Sequence, residues 1–330
     1  MKPKVLVARA VFPEVVERLR ECFEVEDNPQ DVVWTKAELT ARLQGKAGAF
    51  TTGSERIDAE VLDANPQLRV VANMAVGYNN FDVPACTARK VLCTNTPDVL
   101  TETTADFGFA LMMAAARRIA ESEHSLRRGE WTKWYYDMFN GSDVHGATLG
   151  ILGMGRIGQA IARRGAHGFG MRVIYHNRSR LDEATEAACR ASYVDKPTLL
   201  AQADHLVLVL PYSTASHHAI GAAELAQMKP TATLTNIARG GIVDDAALAE
   251  ALAARRIAAA GLDVYEGEPA LNPALLAVPN IVLTPHIASA TAATRRAMAD
   301  LAADNLIAGL GAGPTPGRPP TPINPEVLAP

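Results

Sequence analysis

Leu149-Gly150-Ile151-Leu152-Gly153-Met154-Gly155-Arg156-Ile157-Gly158 runs a short apolar stretch straight into three spaced glycines, and the helix-compatible Gln159 to Arg164 follows. Glycines at these places permit a tight turn off a strand, let the backbone approach a pyrophosphate, and let the next helix pack closely on its strand. The free N–H groups and positive dipole end of that helix then face the phosphates. An isolated G-x-G-x-x-G can arise by chance. Here a strand precedes it, a helix follows, and a second strand candidate at Arg172 to Tyr175 completes a βαβ dinucleotide-binding unit built on Gly153, Gly155 and Gly158.

The end of that second strand is where a dinucleotide ribose is normally read, and an acid there accepts hydrogen bonds from the 2′-hydroxyl of NAD. The stretch is Tyr175-His176-Asn177-Arg178-Ser179-Arg180, which has no acid. Two guanidiniums, a hydroxyl and an amide suit a 2′-phosphate, so NADP(H) is favoured over NAD(H), against the plainer alternative of a solvated basic turn.

Working outward, β-rich runs alternate with segments of helical period, the pattern of parallel strands joined by crossover helices. Before the motif lie Lys4 to Ala8, a helix from Pro13 to Cys22, then Ala49 to Thr52, Val70 to Met74 and Val91 to Thr94, a small α/β unit. A long helical stretch after Pro97, with Asp98 or Thr101 as N-cap, is expected to run to Arg128 as a spacer. Gly129 to Gly146 carries two of the three tryptophans plus Tyr135, Tyr136 and Phe139 without clean period, and reads as core, oligomer contact or lid. From Thr148 six strand candidates follow: Thr148 to Leu152, Arg172 to Tyr175, His205 to Leu210, Thr233 to Asn236, Ala259 to Asp263 and Ile281 to Thr284. A last helix spans Ala290 to Leu310, before a Pro/Gly-rich, non-helical tail. The expectation is an α/β protein with two Rossmann-like, doubly wound parallel-sheet domains. A dinucleotide-binding domain covers residues 100–286, and a discontinuous substrate domain is made of 1–99 and 287–330.

Bulk composition agrees. The 330 residues are long for one core, and 48% apolar with 21% charged is ordinary for globular domains. A net charge of −4 gives no field drawing nucleic acid or a membrane surface. The four cysteines lie far apart with neither CxxC nor Cys/His ligand spacing, so neither a metal site nor a disulfide framework is expected. With no apolar stretch of spanning length, a cytoplasmic protein is expected.

Three residues fall at or just past the C-terminal ends of predicted strands, the edge where open α/β sheets place ligands. They are Arg239 in Asn236-Ile237-Ala238-Arg239-Gly240-Gly241, Glu268 in Gly261 to Pro269, and His286 in Thr284-Pro285-His286-Ile287-Ala288-Ser289. Reduction of a 2-oxo acid needs a fixed cation for the carboxylate and carbonyl, a proton donor for the developing alkoxide, and a carboxylate to orient and support the donor. Arg239, His286 and Glu268 fit those roles in turn. Singly each also reads as an ion pair, a loop histidine or a helix cap.

Along nearly its whole length the chain resembles the D-isomer-specific 2-hydroxyacid dehydrogenases. The matching pieces are Ala75-Val76-Gly77-Tyr78-Asn79-Asn80, Thr101 to Asp106, the glycine motif, Asn236 to Gly240, Gly261 to Pro269 and Pro285 to Thr291. Spacings of 29 (268 − 239) and 18 (286 − 268) residues are similar too. Tyr78 to Val83, Gly129 to Thr132 and Asn177-Arg178 resemble the glyoxylate/hydroxypyruvate reductases, including the bacterial branch that also reduces 2-ketogluconate. The resemblance implies substrate-carboxylate binding by the N–H groups of Val76 and Gly77 with Arg239. It implies cofactor contacts from Thr104, Gly155, Arg156, Ile157, Asn177, Arg178, Ser179, Pro211, Ile237 and Asp263. It also implies a homodimer, with Gly129 to Gly146 in the dimer arm and Trp134 reaching the partner's site. One departure is Thr51-Thr52-Gly53-Ser54, small and polar near where the family shapes its pocket, which leaves room for a polyhydroxylated substrate. Two alternatives stand beside this: a nucleotide-sensing, corepressor-like binding protein on the same fold, and a relative acting on phosphoglycerate or lactate. Phosphoglycerate enzymes commonly read NAD through the acid missing here.

Overall fold

A computed structural model describes residues 1–328, and the chain divides into two compact units, Met1–Leu100 with Thr291 onward, and Thr101–Ala290. In the first unit β1 (Lys4–Val7), β2 (Glu24–Glu26), β3 (Gly48–Thr51), β4 (Val70–Asn73) and β5 (Leu92–Thr94) form a parallel sheet in the order β2-β1-β3-β4-β5. Strands covered on both faces need continuous apolar runs rather than alternation, and Val5-Leu6-Val7 and Val70-Val71-Ala72 supply them, all essentially fully buried. The helix Ala292–Gly309, capped by the Thr291 hydroxyl accepting from the Thr294 N–H, lies against β3 and β4. Beyond it the Asn324 side chain accepts from Cys93 N and donates to the Val91 carbonyl, stitching the tail to β5.

The second unit holds β6 (Thr148–Leu152), β7 (Arg172–His176), β8 (Ala191–Tyr193), β9 (His205–Leu208), β10 (Thr233–Asn236), β11 (Ala259–Leu262) and β12 (Ile281–Leu283). All pair in parallel, in the order β12-β11-β10-β9-β6-β7-β8. The chain winds outward from β6 through β8, crosses back to β9, and winds the other way. The carboxyl ends of β6 and β9 therefore form the switch point at which such sheets bind ligands.

β2 and β8 were not anticipated. Each has three residues at a sheet edge, and Glu24-Val25-Glu26 carries no apolar run. The stretch expected as one helix to Arg128 is two, Thr101–Ala116 and Ile119–Arg127. Arg118 breaks it by adopting φ 53, held there by paired 2.8 Å bonds from its guanidinium to Glu121. Nor is the first of these helices a spacer. Ala105, Phe109, Leu111, Met112 and Ala116 are buried as it packs on β10, β11 and the helix Arg156–Arg163. Among the described residues no helix is long and apolar enough to cross a membrane. All four cysteines are free thiols.

Candidate active site

Each candidate catalytic residue rides on a loop leaving the carboxyl end of a neighbouring strand. After β10 the Asn236 side chain accepts from Ala238 N at 3.0 Å and donates to the Arg239 carbonyl at 3.3 Å, fixing the turn that presents Arg239. Gly240 is required next, because a Cβ there would stand 1.7 Å from the Tyr265 carbonyl oxygen. The partly buried Arg239 donates from Nη1 to the Ala238 carbonyl. Burial draws its guanidinium below the ordinary value and the charge of Glu268 opposes this, but an arginine stays cationic at any working pH.

After β11, Glu268 folds back so that Oε2 accepts from Tyr265 N at 3.2 Å, while Oε1 lies 2.7 Å from His286 Nδ1. Burial works to raise the Glu268 carboxyl. The hydrogen bond and charge of His286, the Tyr265 N–H and the charge of Arg239 outweigh it, and the group sits below its ordinary value. Glu268 is thus an anion at neutral pH. It takes the Nδ1–H of His286 and leaves Nε2 as the ring's outward nitrogen.

His286 has φ 53, a left-handed conformation that costs a non-glycine residue about 1–2 kcal/mol. The surroundings that hold it there are visible. Fully buried Asp263 at the end of β11 accepts from Thr284 Oγ1 at 2.7 Å, Ile287 N at 2.8 Å and Ala288 N at 2.8 Å, bracketing His286 on both sides. Tyr265 Oη donates to the carbonyls of Leu262 and Thr284. Neither the brace by Asp263 nor the pinning by Asn236 and Tyr265 was read from the sequence. All three lie inside the quoted motifs, so their position was the one available signal.

The glycine loop lies at the switch point as its sequence requires. Gly153 takes φ 102, a conformation only glycine adopts readily. Asn177 Oδ1 accepts from Met154 N at 2.6 Å, which ties the uncharged Asn177 to the glycine loop. A dinucleotide fits this loop on two observations. The space before Gly155 is open, since a Cβ would meet nothing within 4 Å, and the buried Thr104 hydroxyl has no hydrogen-bond partner among the described residues. Arg156 and Ile157 begin the helix, Pro211 follows β9, and Ile237 is buried just past β10.

The basic turn is divided in its roles. Arg178, Ser179 and Arg180 are all exposed, but Arg180 is already paired and so is less available to a phosphate than the sequence alone implied. Its Nε and Nη2 donate to Glu186 at 2.9 and 2.7 Å, and with Tyr175 Oη they bring Glu186 down to about 2. Val76 and Gly77 belong to the first unit, on the loop after β4. Their carbonyls accept from Asn95 Nδ2 (2.8 Å) and Asn73 Nδ2 (3.0 Å), which orders the loop and leaves both N–H groups unbonded among the described residues. Trp134 is 74% exposed in the irregular segment after the helix Ile119–Arg127, beside exposed Trp131 and Tyr136.

Residues 109–288 match the model of the D-isomer specific 2-hydroxyacid dehydrogenase, NAD binding domain. The chain belongs to this family. The dehydrogenase is 48% identical to a glyoxylate reductase of Thermococcus gammatolerans over 332 residues, covering 99% of this chain and 98% of that one. It is 46% identical to glyoxylate/hydroxypyruvate reductase B of Klebsiella pneumoniae, over 94% and 96% of the two chains. Among solved structures, the NADPH-dependent glyoxylate/hydroxypyruvate reductase of Sinorhizobium meliloti, crystallised with NADP and malonate, superposes with a TM-score of 0.85 at 37% identity, covering 98% of this chain and 97% of that one. The protein is therefore a 2-hydroxyacid oxidoreductase with an NAD-binding domain, and its two parallel-sheet α/β units are those of the family.

Proposed function

We propose that this dehydrogenase reduces glyoxylate and hydroxypyruvate to the corresponding 2-hydroxy acids, D-glycerate in the second case, and takes NADPH in preference to NADH. The observation that carries the proposal is the 2.7 Å pair of Glu268 and His286 on loops beside that of Arg239, whose cation faces the same carboxylate. The names of the relatives from Thermococcus and Klebsiella point to the same substrates. Hydroxyls of Thr52 and Ser54 are spent on Glu55, at 2.9 and 2.7 Å, which favours small acids over 2-ketogluconate.

When bound, NADPH would supply the hydride for the carbonyl carbon. Arg239 holds the substrate carboxylate and draws electron density toward the carbonyl oxygen. His286, charged and oriented through Nδ1 by Glu268, delivers its Nε2 proton to that oxygen as the alkoxide develops. On the loop after β4, the N–H groups of Val76 and Gly77 remain open to a carboxylate among the described residues. Thr104, Gly153, Gly155, Arg156, Ile157, Gly158, Asn177, Arg178, Ser179, Pro211, Ile237 and Asp263 would hold the cofactor. Preference for NADPH rests on exposed Arg178 beside the uncharged Asn177. The exposed Trp131, Trp134 and Tyr136 support the reading of Gly129 to Gly146 as the arm of a homodimer, and free thiols suit a cytoplasmic enzyme. A panel of 2-oxo acids assayed in parallel with NADPH and NADH tests the proposal. Turnover of none, or 2-ketogluconate outpacing glyoxylate and hydroxypyruvate, would overturn it.

A further inference from the structure

His217 and His218 follow the short turn Thr214–Ser216 on the loop that leaves β9. Their rings stack with centroids 3.9 Å apart and planes at 22°. His218 holds φ 49, the left-handed region again. Each imidazole has one nitrogen backed by an oxygen. Tyr212 Oη lies 3.2 Å from His217 Nδ1, and Asp244 Oδ2 lies 3.8 Å from His218 Nδ1. On its other side His218 Nε2 meets Glu266 Oε2 at 3.1 Å. Donor atoms of His217, His218 and Glu266 all lie within 4.8 Å of one another.

The backbone under these groups is anchored. Asp244 Oδ1 accepts from Ala246 N and Ala247 N at the head of the helix Asp245–Ala253, which leaves Oδ2 for His218. Glu266 N donates to Asp245 Oδ2 at 3.0 Å. Neutral imidazole nitrogens with one carboxylate suit a divalent first-row ion such as Zn²⁺ and suit Mg²⁺ or Ca²⁺ poorly. Tyr212 Oη is within hydrogen-bond distance of His217 Nδ1, as the partners that orient metal-binding histidines are, and Asp244 Oδ2 at 3.8 Å sets a negative charge beside His218 Nδ1. A tetrahedral Zn²⁺ places its donors about 3.3 Å apart, so the pairs separated by up to 4.8 Å must close by up to about 1.5 Å.

We propose that His217, His218 and Glu266 bind a divalent transition-metal ion of the Zn²⁺ class, with water completing its coordination and Tyr212 and Asp244 steadying the two rings. The ion ties the loop after β9 to the segment that carries Glu268. Cysteine spacing gave no reason to expect a metal, because this donor set uses no cysteine and joins residues distant in sequence.

The test titrates tag-free protein with Zn²⁺ by calorimetry and follows thermal unfolding with and without the ion. The expected result is one Zn²⁺ per chain, Mg²⁺ binding at least a hundredfold more weakly, and a melting temperature that rises with Zn²⁺. His217→Gln, at an exposed position, and Glu266→Gln each weaken Zn²⁺ at least tenfold and abolish the rise, while His124→Gln on the helix Ile119–Arg127 changes neither. Circular dichroism of each ion-free variant confirms that it folds. Absence of a one-to-one Zn²⁺ site in the parent, or undiminished binding in folded His217→Gln, would overturn the proposal.

Discussion

Replacing Glu268 with glutamine keeps an oxygen within reach of His286 Nδ1 but removes the charge. The 2.7 Å contact is charge-assisted, and such bonds contribute about 1.5–3 kcal/mol when shielded from water. Here the His286 and Glu268 side chains remain 47% and 35% exposed, so solvent screening reduces the charge contribution to about 1–1.5 kcal/mol. A factor of ten in rate is about 1.4 kcal/mol, so Glu268→Gln should lower kcat/KM for glyoxylate reduction with NADPH by about five- to twelvefold near neutral pH, while NADPH affinity should not change. An undiminished kcat/KM refutes the assignment of Glu268 as support for the proton donor. The same pair predicts a stability effect. Glu268 sits below its ordinary 4.5, so its contribution is complete above about pH 4.5 and is lost as pH falls through the depressed value. The parent should therefore lose more stability than Glu268→Gln on acidification, as read by urea unfolding.

His286→Ala should lower kcat by about 10² to 10⁴ with NADPH binding retained, and a parent-like rate would reassign the proton donor. Arg178→Ala should weaken NADPH by about 1.5–3 kcal/mol while sparing NADH. Arg180→Ala, removing a group already paired with Glu186, should change NADPH affinity much less, and fluorescence titration of both variants with both cofactors distinguishes the two arginines. Buried His205 bonds Thr233 Oγ1 and the Asp143 carbonyl, and burial holds it below its ordinary 6.5. The unfolded chain therefore takes up the proton first, so this contribution is intact above about pH 6.5 and shrinks as pH falls. His205→Asn should flatten that part of the urea-midpoint curve, and an unaltered slope would assign it to other groups.

The sequence was most legible where one local rule had no competitor. Thr148–Leu152 appears as a strand with the expected bounds because an apolar run ends at glycines, and Pro13–Cys22 begins with proline and keeps an apolar face. Legibility failed where partners distant along the chain decide. Nothing in Arg117-Arg118 signals a helix break, since Arg118 reaches its left-handed conformation without glycine or proline and is held by Glu121. The Arg180 ion pair depends on Glu186, one helical element further on, so a string of basic residues looked more available than it is. Arg239, Glu268 and His286 were readable as types at strand ends, and the structure brings Glu268 and His286 into contact. What holds His286 in place, the carboxylate of Asp263 gripping three donors more than twenty residues downstream, is a product of parallel pairing between β11 and β12.

The path of the chain through its first unit also bears on how that unit is made. Five strands of its sheet are complete by Thr94, yet the helix Ala292–Gly309 that lies on β3 and β4 is synthesised only after the whole of the second unit. Leu306 and Leu310 crowd Gly48, and Gly309 sits on the methyl groups of Val70, so this face of the sheet is apolar and bare until the helix arrives. Residues 101–290 leave the ribosome with every strand of their own sheet already present. The unit begun second is thus the one able to finish folding first, while the N-terminal strands wait as a nascent, aggregation-prone surface for their cover.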